Sequence, residues 1–87
     1  MNMTYLINYD LKDPGQRYLD LTAAIKSYGV WAKISYSCWA VRTELTAEEI
    51  RDDLIQYIDS NDVLFVCQFD GWASFGLSRE VVDWLNN

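Results

Sequence analysis

Asp10 is the residue best placed to do chemistry. The apolar, aromatic-rich run Met3-Thr4-Tyr5-Leu6-Ile7-Asn8-Tyr9 reads as a sheet-core strand, and Asp10 ends it. The next five residues, Leu11-Lys12-Asp13-Pro14-Gly15, read as a turn. A strand that carries a carboxylate to its own exposed end can use it for chemistry there. It can equally bond nearby backbone N–H groups and simply stop.

Other chemistries are thinly supplied. Histidine is absent, which removes imidazole metal sites, Ser-His and Cys-His nucleophile pairs and the commonest general base. Cys38 and Cys67 lie in separate apolar runs without CxxC spacing, so they read as buried free thiols in a reducing compartment rather than zinc ligands. Thirteen acids against seven bases give a net charge of −6 and a pI near 4.3. That argues against gripping phosphate backbones by bulk charge. The bases (Lys12, Arg17, Lys26, Lys33, Arg42, Arg51 and Arg79) are scattered with no two adjacent, so only folding can cluster them. With no signal-peptide pattern, and no apolar run approaching the roughly 20 residues of a membrane span, the expected location is cytoplasmic, with no membrane partner.

The elements that must position Asp10 follow from periodicity. Tyr18, Leu21, Ile25 and Tyr28 recur at steps of three and four, which predicts a helix that Gly29 stops. Val30 to Tyr36 and Cys38 to Thr43 read as two short strands reversing at Ser35-Tyr36-Ser37. Thr46-Ala47-Glu48-Glu49 is a capping box. It opens a second helix with apolar positions Ile50, Leu54, Tyr57 and Ile58, and with Glu48, Arg51, Asp52 and Gln56 toward water. Asp59-Ser60-Asn61-Asp62 breaks that helix, and Val63 to Phe69 reads as a fourth strand. Gly71 to Gly76 is irregular, and Ser78 caps a short last helix. The order strand, helix, strand, strand, helix, strand is the split βαβ of the ferredoxin-like α+β fold, a βαββαβ sandwich. Two helices would lie on one face of a four-stranded antiparallel sheet, with the first and third strands central. Residues 1–87 are expected to form one domain, with a core over 3–70 and a C-terminal extension over 71–87.

A chain this short buries only roughly 60–65% of its unfolded surface. Yet 51% of the residues are hydrophobic and 15% aromatic, more large apolar surface than one small core needs. Tyr5, Ile7 and Tyr9 share one face of the first strand, whereas Thr4, Leu6, Asn8 and Asp10 share the other. The strands beyond are apolar on both sides. Two helices cover one face, so a twin subunit is expected on the second, with Leu6 and Asn8 at a homodimer interface. The glycine-bounded loop with Trp72 and Phe75 is expected to cross to the partner or cover its sheet edge.

The sequence also resembles a known family. Asn8-Tyr9-Asp10-Leu11 ends the first strand, Arg17 comes early in the first helix, Ser27-Tyr28-Gly29 ends it, and Ser35-Tyr36-Ser37-Cys38-Trp39 follows. This series resembles the small CRISPR-associated Cas-two family. It is more similar to that family's stand-alone SinR-like relatives, in which an aromatic follows the second-hairpin serine and a Ser/Thr-Ala-Glu-Glu-Ile-Arg-Asp opening, here Thr46 to Asp52, begins the second helix. The resemblance spans roughly residues 3 to 70. It implies a ferredoxin-like symmetric dimer in which the acid ending the first strand meets its symmetry mate and holds a divalent metal for phosphodiester cleavage. It also implies a non-catalytic alternative, a scaffold that binds duplex DNA.

Carried over by position, Asp10 matches the metal-binding and catalytic acid. Arg17 matches the helix arginine, and Ser37 with Trp39 matches the small-then-aromatic hairpin pair as binding residues. Magnesium would suit such a site, since it takes few protein carboxylates plus waters and phosphate oxygens. The cation would then activate water without any histidine. Asp13 could add a further acid.

Three readings follow. The first is a homodimeric Cas-two-like, SinR-like module for assembly or nucleic-acid association without robust catalysis. The second is a magnesium-dependent endoribonuclease or deoxyribonuclease using paired Asp10 carboxylates. The third is an acidic regulator, antitoxin-like or phage-type, that binds a basic protein partner. The acidic balance, with Glu48, Glu49, Asp52 and Asp53 on the second helix, favours the first and third.

Overall fold

Alternation along the first strand decides which side chains reach the core. In the computed structural model, which describes residues 2–13 and 15–87 and only the backbone of Gln16, β1 spans Met3–Asp10. Tyr5, Ile7 and Tyr9 are buried, while Asn8 and Asp10 point the other way and are exposed. Pro14, an expected turn residue, and Met1, the first residue of the expected domain, lie outside the described residues.

The remaining elements are α1 (Gln16–Lys26), β2 (Trp31–Ser35), β3 (Cys38–Thr43), α2 (Ala47–Leu54), β4 (Val63–Gln68) and α3 (Arg79–Asn86). The sheet order is β2-β3-β1-β4, with every neighbouring pair antiparallel. β1 and β3 are central, as the crossovers require. This is the expected ferredoxin-like α+β sandwich. Among the described residues no helix is long and apolar enough to cross a membrane.

Local chemistry places each helix. On α1, Leu21 and Ile25 are fully buried and Tyr18 half-buried, one stripe at helical spacing. Gly29 then takes φ +92°, a conformation in which a Cβ is strained, and turns the chain toward β2. The capping box of α2 is complete. Thr46 Oγ1 accepts the Glu49 N–H at 3.1 Å, and Glu49 Oε1 accepts the Thr46 N–H at 2.9 Å. Beyond Leu54 the helix tightens into a 3-10 turn over Ile55–Tyr57, where the Gln56 side chain donates to the Asp53 carbonyl at 2.9 Å. Tyr57 and Ile58 are half-buried there, short of the fully buried helical face that spacing suggests.

The core between the helices and the sheet is built on Tyr5, Ile7, Trp39 and Val41 from the central strands, against Leu21, Ile25, Ile50 and Leu54 from the helices. The opposite face of the sheet differs from expectation. The expected cover is a twin subunit, but α3 of the same chain covers its β2–β3 half. Ala32 and Ala40 pair across β2 and β3 on that face and are 6% and 0% exposed, small enough to let a helix approach closely. The β4 half stays open, with Val63 53% and Phe65 56% exposed.

Candidate functional site

The end of β1 lies between the β2–β3 reversal and the turn into α1. The Tyr9 N–H donates to the Ser37 carbonyl at 3.1 Å, which ties the hairpin to the strand end. Asp10 and Ser37 therefore line one cavity of about 200 Å³, together with Tyr9, Leu11, Tyr18 and Tyr36. The rings of Tyr18 and Tyr36 stack at 5.9 Å between centroids, and Tyr9 meets Tyr18 edge-on at 6.3 Å.

Asp10 itself is solvated and paired. Its Oδ2 lies 2.8 Å from Lys12 Nζ, and its side chain is 65% exposed. The carboxylate holds the Lys12 ammonium above its ordinary pKa, chiefly through that hydrogen bond. Exposed pairs of this kind contribute little to stability. They do put a positive charge where a metal ion would have to bind.

The other expected site residues separate. Trp39 is buried in the core, and its Nε1 donates to Tyr9 Oη at 3.0 Å. Burial pushes the Tyr9 phenol up to about 12, with the Trp39 hydrogen bond pulling the other way. Arg17 is directed away from Asp10. Its Nε lies 3.2 Å from Asp59 Oδ1 and its Nη1 donates to the Gln56 carbonyl at 3.3 Å, so it joins α1 to the link between α2 and β4. Asp13 is exposed in the turn. Leu6 and Trp72 line one apolar cavity of about 270 Å³ with Leu85 and Leu77, which places both at the seam between the sheet and the chain's own C-terminal segment. Asn8 is exposed, and Phe75 is wholly so.

A magnesium ion fits these residues poorly within one chain. Among the described residues no three of Asp, Glu and Cys converge. Asp10, the carboxylate that ends β1, is already held by the Lys12 ammonium, so these residues offer no metal-borne catalytic step. Cys38 and Cys67 are free and half-buried. Burial raises the Cys38 thiol pKa, and neighbouring Cys67 adds to the shift, both unfavourable to a reactive thiolate.

Two features escaped sequence reasoning. In the sequence Asp62 is no more than the last residue of a helix breaker. Its Oδ1 accepts the Lys12 N–H and its Oδ2 the Asp59 N–H, each at 2.8 Å, and these bonds hold its carboxyl below the ordinary value. Lys26 and Lys33 also converge on one ring, with their ammoniums 5.9 and 5.4 Å from the Trp39 ring centroid. Sequence alternation shows only that Trp31 and Lys33 share a side of β2; the register and the packing of α1 supply the rest. The two residues lie opposite Val41 and Trp39 of β3, and α1 ends in Lys26.

No protein-family model matches the chain, and neither does any curated protein sequence. A crystal structure of a hypothetical protein from Thermus thermophilus is similar at a TM-score of 0.72 and 24% identity, covering 88% of this chain and 94% of that one. At that identity the likeness concerns the fold.

Proposed function

We propose that this chain acts as a homodimeric Cas-two-like, SinR-like module for assembly and nucleic-acid association, without robust catalysis of its own. The observation that carries the reading is the open half of the outer sheet face. Val63 and Phe65 alternate onto it more than half exposed, beside exposed Asn8. Phe75, on the segment leading into α3, is uncovered as well. A two-fold axis through this strip buries Val63 and Phe65 once per subunit, which makes a second copy an economical cover. Asp10 shares the strand face of Asn8, so such a dimer brings two carboxylates toward the axis.

Catalysis is the weaker use of those carboxylates. Asp10 is paired to Lys12, Arg17 is engaged by Asp59, and the exposed side of α2 is acidic. The test has two arms. Light scattering at micromolar concentration should give a dimer mass, and a monomer mass would overturn the reading. Single- and double-stranded RNA and DNA, incubated with magnesium or manganese, should survive both the wild type and Asp10→Ala. Cleavage by the wild type that Asp10→Ala abolishes would instead establish the metal-dependent nuclease.

A further inference from the structure

This is an acidic chain, yet one of its cavities is lined by two ammonium groups and no carboxylate. It is about 280 Å³ in volume and lies between α1 and the edge strand β2, with Tyr18, Thr22, Lys26, Trp31, Lys33 and Trp39 in its walls. Neither Lys26 nor Lys33 forms an ion pair among the described residues. Each rests on aromatic faces instead. Lys26 Nζ is 5.3 Å from the Trp31 ring centroid, Lys33 Nζ is 5.6 Å from that of Tyr36, and both lie over Trp39. Trp39 is the buried floor, with Trp31 tilted against it at 5.3 Å between centroids. Trp31 is 37% and Tyr36 71% exposed, so both retain ring surface that water reaches.

We propose that this cavity binds a nucleoside phosphate unit, with the phosphate between Lys26 and Lys33 and the base stacked on Trp31. The inference rests on the nucleic-acid association proposed above, but not on the dimer. Two like charges over one indole, with no acid among the described residues lining the cavity, are a site for an anion. Flat aromatic surface on either side adds a preference that a carboxylate or inorganic phosphate cannot use. Stacking platforms beside ammoniums are the recognition mode of unpaired nucleotides. Tyr36, stacked on Tyr18 and next to Lys33, offers a second platform to an adjacent base. A duplex hides its base faces and brings a dense line of phosphates against a chain of net charge −6, so the ligand is single-stranded or a free nucleotide. A glutamate-rich peptide would have no use for the rings.

The test is fluorescence anisotropy with the full chain and end-labelled oligothymidylate and oligouridylate at low salt. Thymidine monophosphate, inorganic phosphate and oligoglutamate serve as competitors. Two phosphate contacts give a log–log salt slope of about −1.4, and Lys26→Gln or Lys33→Gln should each reduce its size by about 0.7. Trp31→Ala should weaken binding about tenfold or more, while Trp31→Phe should retain most of it. Near-ultraviolet circular dichroism checks that each variant keeps its fold.

Two results support the site and distinguish its sources. Competition by thymidine monophosphate at an affinity equal to the oligomers identifies a free nucleotide. Much tighter oligomer binding that Tyr36→Ala weakens identifies a strand. Inorganic phosphate or oligoglutamate competing as well as the nucleotide would overturn the proposal. So would oligomer binding that none of these variants changes, although the wider nucleic-acid association would then stand. No binding by the wild type would remove both.

Discussion

The guanidinium of Arg42 lies 4.0 Å from the ring centroid of Trp84, and its Nη2 donates to the Trp84 carbonyl at 2.9 Å and the Leu85 carbonyl at 3.3 Å. The last carbonyls of a helix have no partner within it, and a cation there also meets the negative end of the helix dipole. One side chain of β3 thus bonds two carbonyls at the end of α3, the Trp84 carbonyl sharing itself with the Asn87 N–H at 3.3 Å, and stacks beneath the helix. Arg42 Nε donates to Thr4 Oγ1 at 3.3 Å, which continues the tie to β1.

Replacing Arg42 should release α3. Hydrogen bonds from a charged donor and a cation–π contact together suggest that Arg42→Ala costs about 2 kcal/mol in denaturant unfolding. Arg42→Lys should recover little of it, because a single ammonium cannot reproduce the planar, forked geometry. If α3 is released, amide hydrogen exchange should quicken along β2 and β3 near Ala32 and Ala40. Unchanged protection there would contradict the clamp.

Phe65→Glu separates dimerisation from folding. Its ring is 56% exposed and contributes little to the core of a single chain, so stability should move by no more than about 0.5 kcal/mol. In the proposed dimer, two charges would meet unpaired in an apolar interface. Self-association should then weaken by at least about tenfold in sedimentation equilibrium. A variant that associates like the wild type would place the interface elsewhere.

The Tyr9 phenol gives the fold an alkaline limit. Its pKa in the folded chain is about 12 against an ordinary value of 10.0, with burial the main cause. A group whose folded value is raised contributes stability that is complete below the unfolded pKa and is lost as pH rises through the folded one. Unfolding free energy should therefore fall between about pH 10 and 12. Tyr9→Phe should make that limb shallower, the remainder coming from Tyr28, whose phenol is also raised by burial and by its hydrogen bond to Asp53. Tyrosinate absorbance against pH, read beside circular dichroism and compared between wild type and Tyr9→Phe, separates Tyr9 from Tyr28 and from the exposed tyrosines.

Asp62 gives an acid limit of the opposite sign. Its folded pKa is lowered by the N–H groups of Lys12 and Asp59, so its contribution is present above the ordinary value of 3.8 and lost as pH falls through the folded one. Asp62→Asn should lower the melting temperature at neutral pH. The gap between variant and wild type should close in acid, where the wild-type carboxyl is protonated too. A gap that stays constant with pH would mean that the charge is irrelevant to the two turns it joins.

The boundaries of the elements were largely legible because their causes are local. Thr46 and Glu49 complete each other's hydrogen bonds within one turn, Gly29 supplies the positive φ that ends the approach to β2, and Ser78 accepts the Val81 N–H to start α3. The candidate site was legible only in part. Asp10 and Ser37 meet because the hairpin and β1 are neighbours in the sheet order, which topology alone implies. Position along the chain suggests Arg17 for the same site, but Asp59, forty-two residues away, pairs with it instead.

The sequence by itself determined the order and type of the elements, and through them the ferredoxin-like sheet. Periods of two and of about 3.6 and the caps act between residues a few positions apart. Only the tertiary structure decided what covers the outer face and where the scattered bases gather. Ala32 and Ala40 are unremarkable as letters, yet paired across two strands they make the shallow bed on which α3 lies. Lys26 and Lys33 belong to different elements, and their charges add only because α1 and β2 bring both over Trp39. Contacts of this kind depend on how surfaces meet, and neither residue carries that information in its local pattern.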